Sequence, residues 1–596
     1  MTTAPIHQPA FPPAEAPANL LELPLDVKPT MRKRNVPGLP DEFEPLASGP
    51  SGEDEPAARV RGVPKVDVRY DSPWSNWHNS LDVGGRVERQ LTPSNAWTKA
   101  SVQVPWWIGL IGMKALQGIV IEARDRKKRV RAFGGGWSLN NVAFIDEDLV
   151  NTANLLDGLW FVDENRRTIP WMLDPHATVD PGRLVLAQAG TRISTLHGWL
   201  ESRRLSLPTC GASNGQTIIG AISTGTHGSA YGVGAMQDYV RGLHVIGQDG
   251  KSFWIERESG PPIVSQTFCA SLSSTLRRDD DLFDAALVGF GCFGLIHGVL
   301  LEAVPMYLLE RFVYQRDFDA AIKAALTLPL EDWETTATAL GLPSTERPYH
   351  FEIVLNPYRL GAGQKGAFVR VLYQRPVPPS GALPHSSRPD GTTLNSGELI
   401  GCISVISEGF SAQIMGAALQ HQMESIVAPT HGRGVLGTCS QHFGDTERTG
   451  RGISLEIGVP RARAADAVDL ILQVTARKAF GAPIALRYVK ASSALLAFTR
   501  FEDITCTLEL PGLGSRTASE AHAMIFDLFA RSNIPHAYHW GQGLPVNGAW
   551  VRQAFGPRLD RWLAARRAFL TTAEARWMFS NPMIESLGLM DPPTCA

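Results

Sequence analysis

The chain has 596 residues, 44% hydrophobic and 19% charged, and Lys+Arg 56 almost balances Asp+Glu 59. That length calls for two to four domains with real cores. The charge balance offers no basic field for nucleic acid or anionic membrane, so a small-molecule substrate is expected. The cysteines Cys210, Cys269, Cys292, Cys402, Cys439, Cys506 and Cys595 form no CxxC pair and no zinc-type spacing. Their odd number fits buried free thiols in a reducing compartment, with no metal ligand set.

The N-terminal MTTAPIHQPAFPPAEAP has no basic region leading into an apolar core, so no secretory signal is expected. Residues 1–94 read as an N-terminal extension that is weakly ordered or wraps a domain. The apolar run Val104–Met113 is far shorter than the ~20 residues of a membrane helix, and Lys114 closes it. It reads as a buried segment, without a transmembrane span, in a cytoplasmic protein. Met113–Arg126 has helical spacing and ends in a basic run suited to the carbonyl end of a helix. A short strand, VRAF, follows and runs into three glycines.

Next come a strand, VLAQAG, an amphipathic helix, Ile193–Arg203, and a strand pair turning at Gln248-Asp249-Gly250. Beyond Pro305, apolar strands (HFEIVLNPY, AFVRVLYQRPV) alternate with helices such as Ala464–Phe480. The Pro/Ser/Gly-rich stretch Pro376–Asn395 reads as a surface excursion. The expected organisation is α+β: a domain at 95–305, a substrate domain at 306–531 and a C-terminal segment at 532–596. Nothing in the pattern signals an oligomeric state.

Three glycine-punctuated stretches carry the chemistry. In the first, Gly134, Gly135 and Gly136 precede Trp137 and Ser138; backbone N–H groups freed of side chains make a nest for a pyrophosphate. Taken alone the triplet is a weak signal, because glycine triplets occur in many ordinary turns. The second runs from Leu207-Pro208-Thr209-Cys210-Gly211 to Gln216–Ser229 and is dense in small and hydroxyl residues around an apolar Ile218, Ile219, Ile222 spine. It reads as an ordered segment lying along a long polar ligand. The third, Ala286–Ile296, fits either the same ligand or close strand–helix packing.

In this order the stretches resemble the FAD domain of the vanillyl-alcohol-oxidase (PCMH-type) superfamily, closest to its sugar-1,4-lactone and alditol oxidase branch. His539-Trp540-Gly541 is similar to the His-Trp-Gly-Lys signature of that branch. The resemblance implies a two-subdomain PCMH-type FAD-binding domain, an α+β cap domain and a C-terminal segment returning to the flavin. It implies that Gly134, Gly135, Gly136, Trp137 and Ser138 cradle the pyrophosphate, and that Thr217, Gly220, Thr224, Gly225, Thr226 and His227 line FAD. Ile296 is then expected at the adenine or ribitol end. The implied activity is oxidation of a CH–OH group by hydride transfer to flavin N5, with O2 or a carrier as acceptor.

Four positions depart from that pattern. Trp137 replaces the His that bonds covalently to flavin in many relatives, so non-covalent FAD is expected. Arg487 keeps the place of a Glu-x-Arg pair whose acidic member is Ala485 here, leaving a buried Arg in search of another anion. Gln542 replaces the signature Lys, and Ala212 a polar Ser. Three of these changes strip polar groups from the substrate side, which points to a more apolar alcohol. Arg487 is cast as the electrostatic stabiliser, with Gln542 beside it; His539 is either the proton acceptor or a core histidine satisfied by backbone. Two other readings stay open: a flavin-binding protein whose polyol-oxidase site has lapsed, and a flavoenzyme reducing a C=C bond.

Overall fold

The computed structural model describes residues 30–33, 65–80, 82–95, 109–153, 156–161, 172–378, 412–444 and 451–590. Most of the expected N-terminal extension and of the stretch 376–395 lies outside these residues. Residues 65–94, however, are not a wrapping tail. Lys65–Ser75 and Gly84–Ser94 pair antiparallel and join Thr30–Lys33, Asp148–Asn151 and Val130–Phe133 in a five-stranded sheet. The inward positions of the second strand are Val87, Arg89, Leu91 and Pro93. A buried charge and a proline break the apolar alternation that marks a strand in sequence. Arg89 is tolerated inside because its guanidinium holds the fully buried Asp148 at 2.8 and 2.6 Å.

A second sheet of six strands is ordered Ser274–Arg278, Ser252–Glu256, Val240–Ile246, Leu295–Glu302, Leu184–Gln188, Leu159–Phe161. The helix Gly109–Asp125 touches strands of both sheets and is buried over most of its length, including Lys114. A helix apolar on nearly every side belongs between layers. The expected strand VRAF is found at Val130–Phe133 and the expected helix at Ile193–Glu201.

The remaining large sheet has eight strands, all paired antiparallel: Val435–Gly437, Tyr307–Arg316, Ala367–Pro376, His350–Leu355, Ile484–Lys490, Ile504–Leu513, Gly452–Pro460, Ala537–Tyr538. Its two faces differ because side chains alternate along a strand. Ile353, Leu455, Ile457, Leu486, Tyr488 and Leu508 share one core with the helices Ala464–Arg477 and Arg516–Arg531. The alternate positions, Glu352, Glu456, Arg487 and Glu509, are left to the opposite face. Beyond this sheet the C-terminal helices Gly548–Phe555 and Pro557–Phe569 return to the first half, where Trp562 and Phe555 join the core of Phe290 and Phe293.

Candidate active site

The opposite face of the eight-stranded sheet closes over a cavity of about 360 Å³ whose other walls are the glycine-rich stretches. Of the residues given a cofactor or catalytic role from sequence, all line it except Gly225: Gly134, Gly135, Gly136, Trp137, Ser138, Thr217, Gly220, Thr224, Thr226, His227, Ile296, Arg487, His539 and Gln542. Gly225 instead ends the helix Ile218–Thr224 in the left-handed conformation, φ +83°. The His539 segment is tied to the glycine loop by backbone. Leu139 N donates to Gly541 O at 2.7 Å, and Asn140 Nδ2 donates to the carbonyls of Trp540 and Gln542 at 2.8 and 2.7 Å.

The loop is built for close approach. A Cβ on Gly134 would lie 1.9 Å from Thr217 Oγ1 and 2.8 Å from Thr217 Cβ. Among the buried polar atoms without a partner are Thr217 Oγ1, Gln216 Oε1 and Trp137 Nε1, all on residues of the cavity wall. Buried groups of this kind are normally satisfied, so the cavity fits a large ligand rich in acceptors and donors. Arg131 also lines it, but its guanidinium donates to the carbonyls of Val142 and Phe290. That guanidinium is thus already committed to the protein's own carbonyls.

Arg487 is not short of anions. Its Nε donates to Glu352 Oε1 at 3.0 Å, its Nη1 binds Glu509, and Glu456 lies 3.8 Å away. This corrects the sequence expectation. The carboxylate missing at Ala485 is supplied by adjacent strands: Glu352 sits opposite Arg487 in the register and Glu509 opposite Ala485. Ala485 itself packs in an apolar cluster with Val354, Phe368 and Leu419. The cavity wall at Arg487 is therefore polar and charged. Burial alone would raise Glu352, but Arg487, His350 and Arg370 hold it far below the usual carboxylate range.

Glu456 is buried as well, yet His227, its closest charge partner, and Arg487 bring its pKa down to about 2. His227 directs Nε2 at Glu456 Oε1, 3.0 Å, and Nδ1 at the Gly228 carbonyl, 2.8 Å, so both ring nitrogens face acceptors. Gln542 Nε2 bridges Glu456 Oε2 and Glu509 Oε1 at 3.1 and 3.0 Å. Two carboxylates on the nitrogen fix the amide orientation and leave its buried Oε1 without a partner. His539 Nδ1 accepts the Gly541 N–H at 3.0 Å, which puts the ring proton on Nε2. Sequence reasoning missed Glu352, Glu456 and Glu509, as well as His78, which lines the cavity edge-on to Trp137 at 5.0 Å. Trp137 in turn stacks on Trp77 at 5.8 Å.

Burial also sets an acid limit on the fold. His297, His350, His522 and His539 are each pushed down to about 4, chiefly by desolvation. Folded, they stay neutral where the unfolded chain, with pKa near 6.5, already binds protons. Their contribution is complete above that value and is lost as pH falls toward 4. The thermal midpoint is therefore expected to drop between about pH 7 and about pH 5. His522→Phe, at a ring that meets Phe480 edge-on and has an unpartnered Nε2, should drop less.

Residues 113–256 match the protein family described as "FAD binding domain". That stretch is an FAD-binding domain. Over 194 residues the chain is 32% identical to a putative D-arabinono-1,4-lactone oxidase of Neurospora crassa, a match covering 33% of this chain and 28% of that protein. It is 23% identical over 459 residues to an L-gulono-1,4-lactone dehydrogenase of Mycobacterium tuberculosis, covering 76% and 89% respectively. In fold it is similar to a solvent-stable cholesterol oxidase, with TM-score 0.60 at 16% identity, covering 87% of this chain and 98% of that one. The glycine loop and the Thr217–His227 run lie inside the matched FAD-binding stretch, and the carboxylate-lined sheet lies outside it. Among the described residues no helix is long and apolar enough to cross a membrane.

Proposed function

We propose that the protein is an FAD-dependent oxidoreductase that oxidises a CH–OH group of a small alcohol or lactone-like substrate. The observation that carries this reading is the wall of Ser454, Glu456, Arg487, Glu509 and Gln542 facing the glycine-rich cradle across one cavity. FAD, held by the backbone of Gly134–Ser138 and by Thr217, Gly220, Thr224, Thr226 and His227, supplies a hydride acceptor. The chain's own part is to orient the alcohol and take its proton. Glu509 is the proton acceptor in this reading: it lines the cavity and pairs with the Arg487 guanidinium. His539 presents Nε2–H and acts as a donor rather than the base, since its other nitrogen is engaged. The free Gln542 Oε1 accepts from a substrate hydroxyl. Gln542→Leu is expected to lower kcat/KM by about 5- to 150-fold, the equivalent of ~1–3 kcal/mol for an unmatched buried partner, with flavin still bound. Unchanged kinetics on the true substrate would remove Gln542 from the site.

The polar wall favours a hydroxylated donor such as the sugar lactones for which the relatives are named. A more apolar alcohol is the second reading, supported by Ala212, Ile453 and Pro511 in the same cavity. Anaerobic bleaching of the yellow enzyme by L-gulono-1,4-lactone but not by cholesterol supports the first, and the reverse supports the second. Bleaching by neither, across a broad alcohol panel, favours a lapsed site. The cofactor is taken to be non-covalent, because the Trp137 indole, packed on Trp77, offers no imidazole nitrogen for a flavin bond. Acid precipitation should leave a colourless pellet and a yellow supernatant. Colour retained in the pellet would point to a cavity imidazole, His78 being packed against Trp137. The five described cysteines are buried free thiols, which supports a reducing compartment such as the cytoplasm.

A further inference from the structure

Away from the flavin cavity, His197, Cys210 and Cys439 offer three ligand atoms that all lie within 4.8 Å of one another. They come from distant parts of the chain. His197 projects from the helix Ile193–Glu201, Cys210 precedes Gly211 and Ala212 of the cavity wall, and Cys439 opens the short helix Cys439–His442. The two sulfurs are 3.5 Å apart. Their surroundings are apolar and aromatic: Tyr307, Leu309, Leu372 and Phe443.

The imidazole is the telling group. His197 is 1% exposed, and neither ring nitrogen has a hydrogen-bond partner. Burying an imidazole with both nitrogens bare is costly, and packing alone would be served by leucine or phenylalanine. A disulfide between the cysteines would leave that ring as bare as before. A cation held by all three side chains engages one of those two nitrogens, which packing alone leaves unused.

We propose that His197, Cys210 and Cys439 bind one thiophilic d10 cation, Zn2+ or Cu+. Binding forms two metal–sulfur bonds and one metal–nitrogen bond, and both S–H protons leave to solvent; no redox change is involved. Two thiolates neutralise Zn2+ fully, which suits an apolar surround, while thiolates and imidazole equally select Cu+. Because both thiols give up their protons on binding, metal uptake weakens in acid. The site joins the FAD-binding half to the substrate half beside Gly211, and its occupancy stabilises the whole chain by mass action.

The test uses the full chain, purified with a phosphine reductant, stripped with a chelator and titrated separately with Zn2+, Cu+ and Co2+. One ion per chain is expected, with a rise in thermal midpoint and, for Co2+, a thiolate charge-transfer band. The Zn2+ and Cu+ arms, by competition with chelators of known affinity, decide which ion the site prefers. His197→Phe and Cys439→Ser should each weaken binding about tenfold or more with the near-ultraviolet circular dichroism unchanged. Reduced, folded wild-type protein that takes up none of the three ions overturns the proposal. So does an ion that remains equally tight in both variants, or a Cys210–Cys439 disulfide found in metal-free protein by peptide mapping.

Discussion

Arg487→Met is expected to destabilise the protein by about 3–5 kcal/mol and to abolish most activity. Arg487 is 16% exposed at its side chain and stands among three carboxylates: Glu352 at 3.0 Å, Glu509, and Glu456 at 3.8 Å. Glu352 and Glu456 are almost wholly buried, with side chains 5% and 3% exposed. Removing the guanidinium leaves these charges facing one another without compensation, and that desolvated repulsion exceeds any gain from packing the methionine. The pH dependence carries the signature. In the wild type, Glu352 and Glu456 sit below the ordinary carboxylate range, so their contribution is present above about pH 4.5 and is lost below it. In Arg487→Met the carboxylates lose that bias, so the deficit is largest near neutrality and shrinks as acid protonates them. Arg487→Lys should fall between, because an ammonium cannot reproduce the guanidinium's fork across two carboxylates. Urea unfolding at two pH values, with kcat/KM beside it, checks this. A variant with unchanged midpoint and activity would show that the carboxylates are compensated by other groups.

The second large effect concerns the glycine loop. Gly134→Ala should leave a folded protein that retains FAD poorly, with affinity down by tenfold or more. The added methyl would meet Thr217 Oγ1 at 1.9 Å, and turning that side chain does not clear it, since Thr217 Cβ is itself 2.8 Å away. Either the loop or the start of the helix Ile218–Thr224 must shift. Overpacking of this kind costs ~1–3 kcal/mol, and each 1.4 kcal/mol borne by the bound state is about tenfold in affinity. Gly232→Ala is the control, with nothing within 4 Å of its added Cβ. Flavin-to-protein absorbance ratios after gel filtration, and titration with FAD, separate the two. Equal FAD retention by both variants would mean that the Gly134–Thr217 approach does not shape the cofactor site.

Local pattern carried a good part of this molecule. The strand Val130–Phe133, the helices at Gly109–Asp125, Ile193–Glu201 and Ala464–Arg477, and the turn after Ile246 were all legible, because each is signalled within a few residues by periodicity or turn chemistry. The glycine stretches stood out for a related reason: a continuous run of small residues lets the backbone approach its neighbours closely.

What the tertiary structure alone decided is who stands beside whom. The hairpin Lys65–Ser75 and Gly84–Ser94 was hidden by Arg89 and Pro93 at inward positions, and Arg89 becomes acceptable there only once Asp148 faces it. The same holds at the site. From sequence, Arg487 with Ala485 looked like a cation deprived of its partner and a pocket losing polarity. The sheet reverses that reading by bringing in Glu352 from 135 residues away and Glu509 from 22. Strand neighbours are set by register and by which face the core claims, quantities fixed by non-local packing and absent from any one window of sequence. The chain's residues thus determined that a cradle for FAD exists; only folding determined the charge of the wall that faces it.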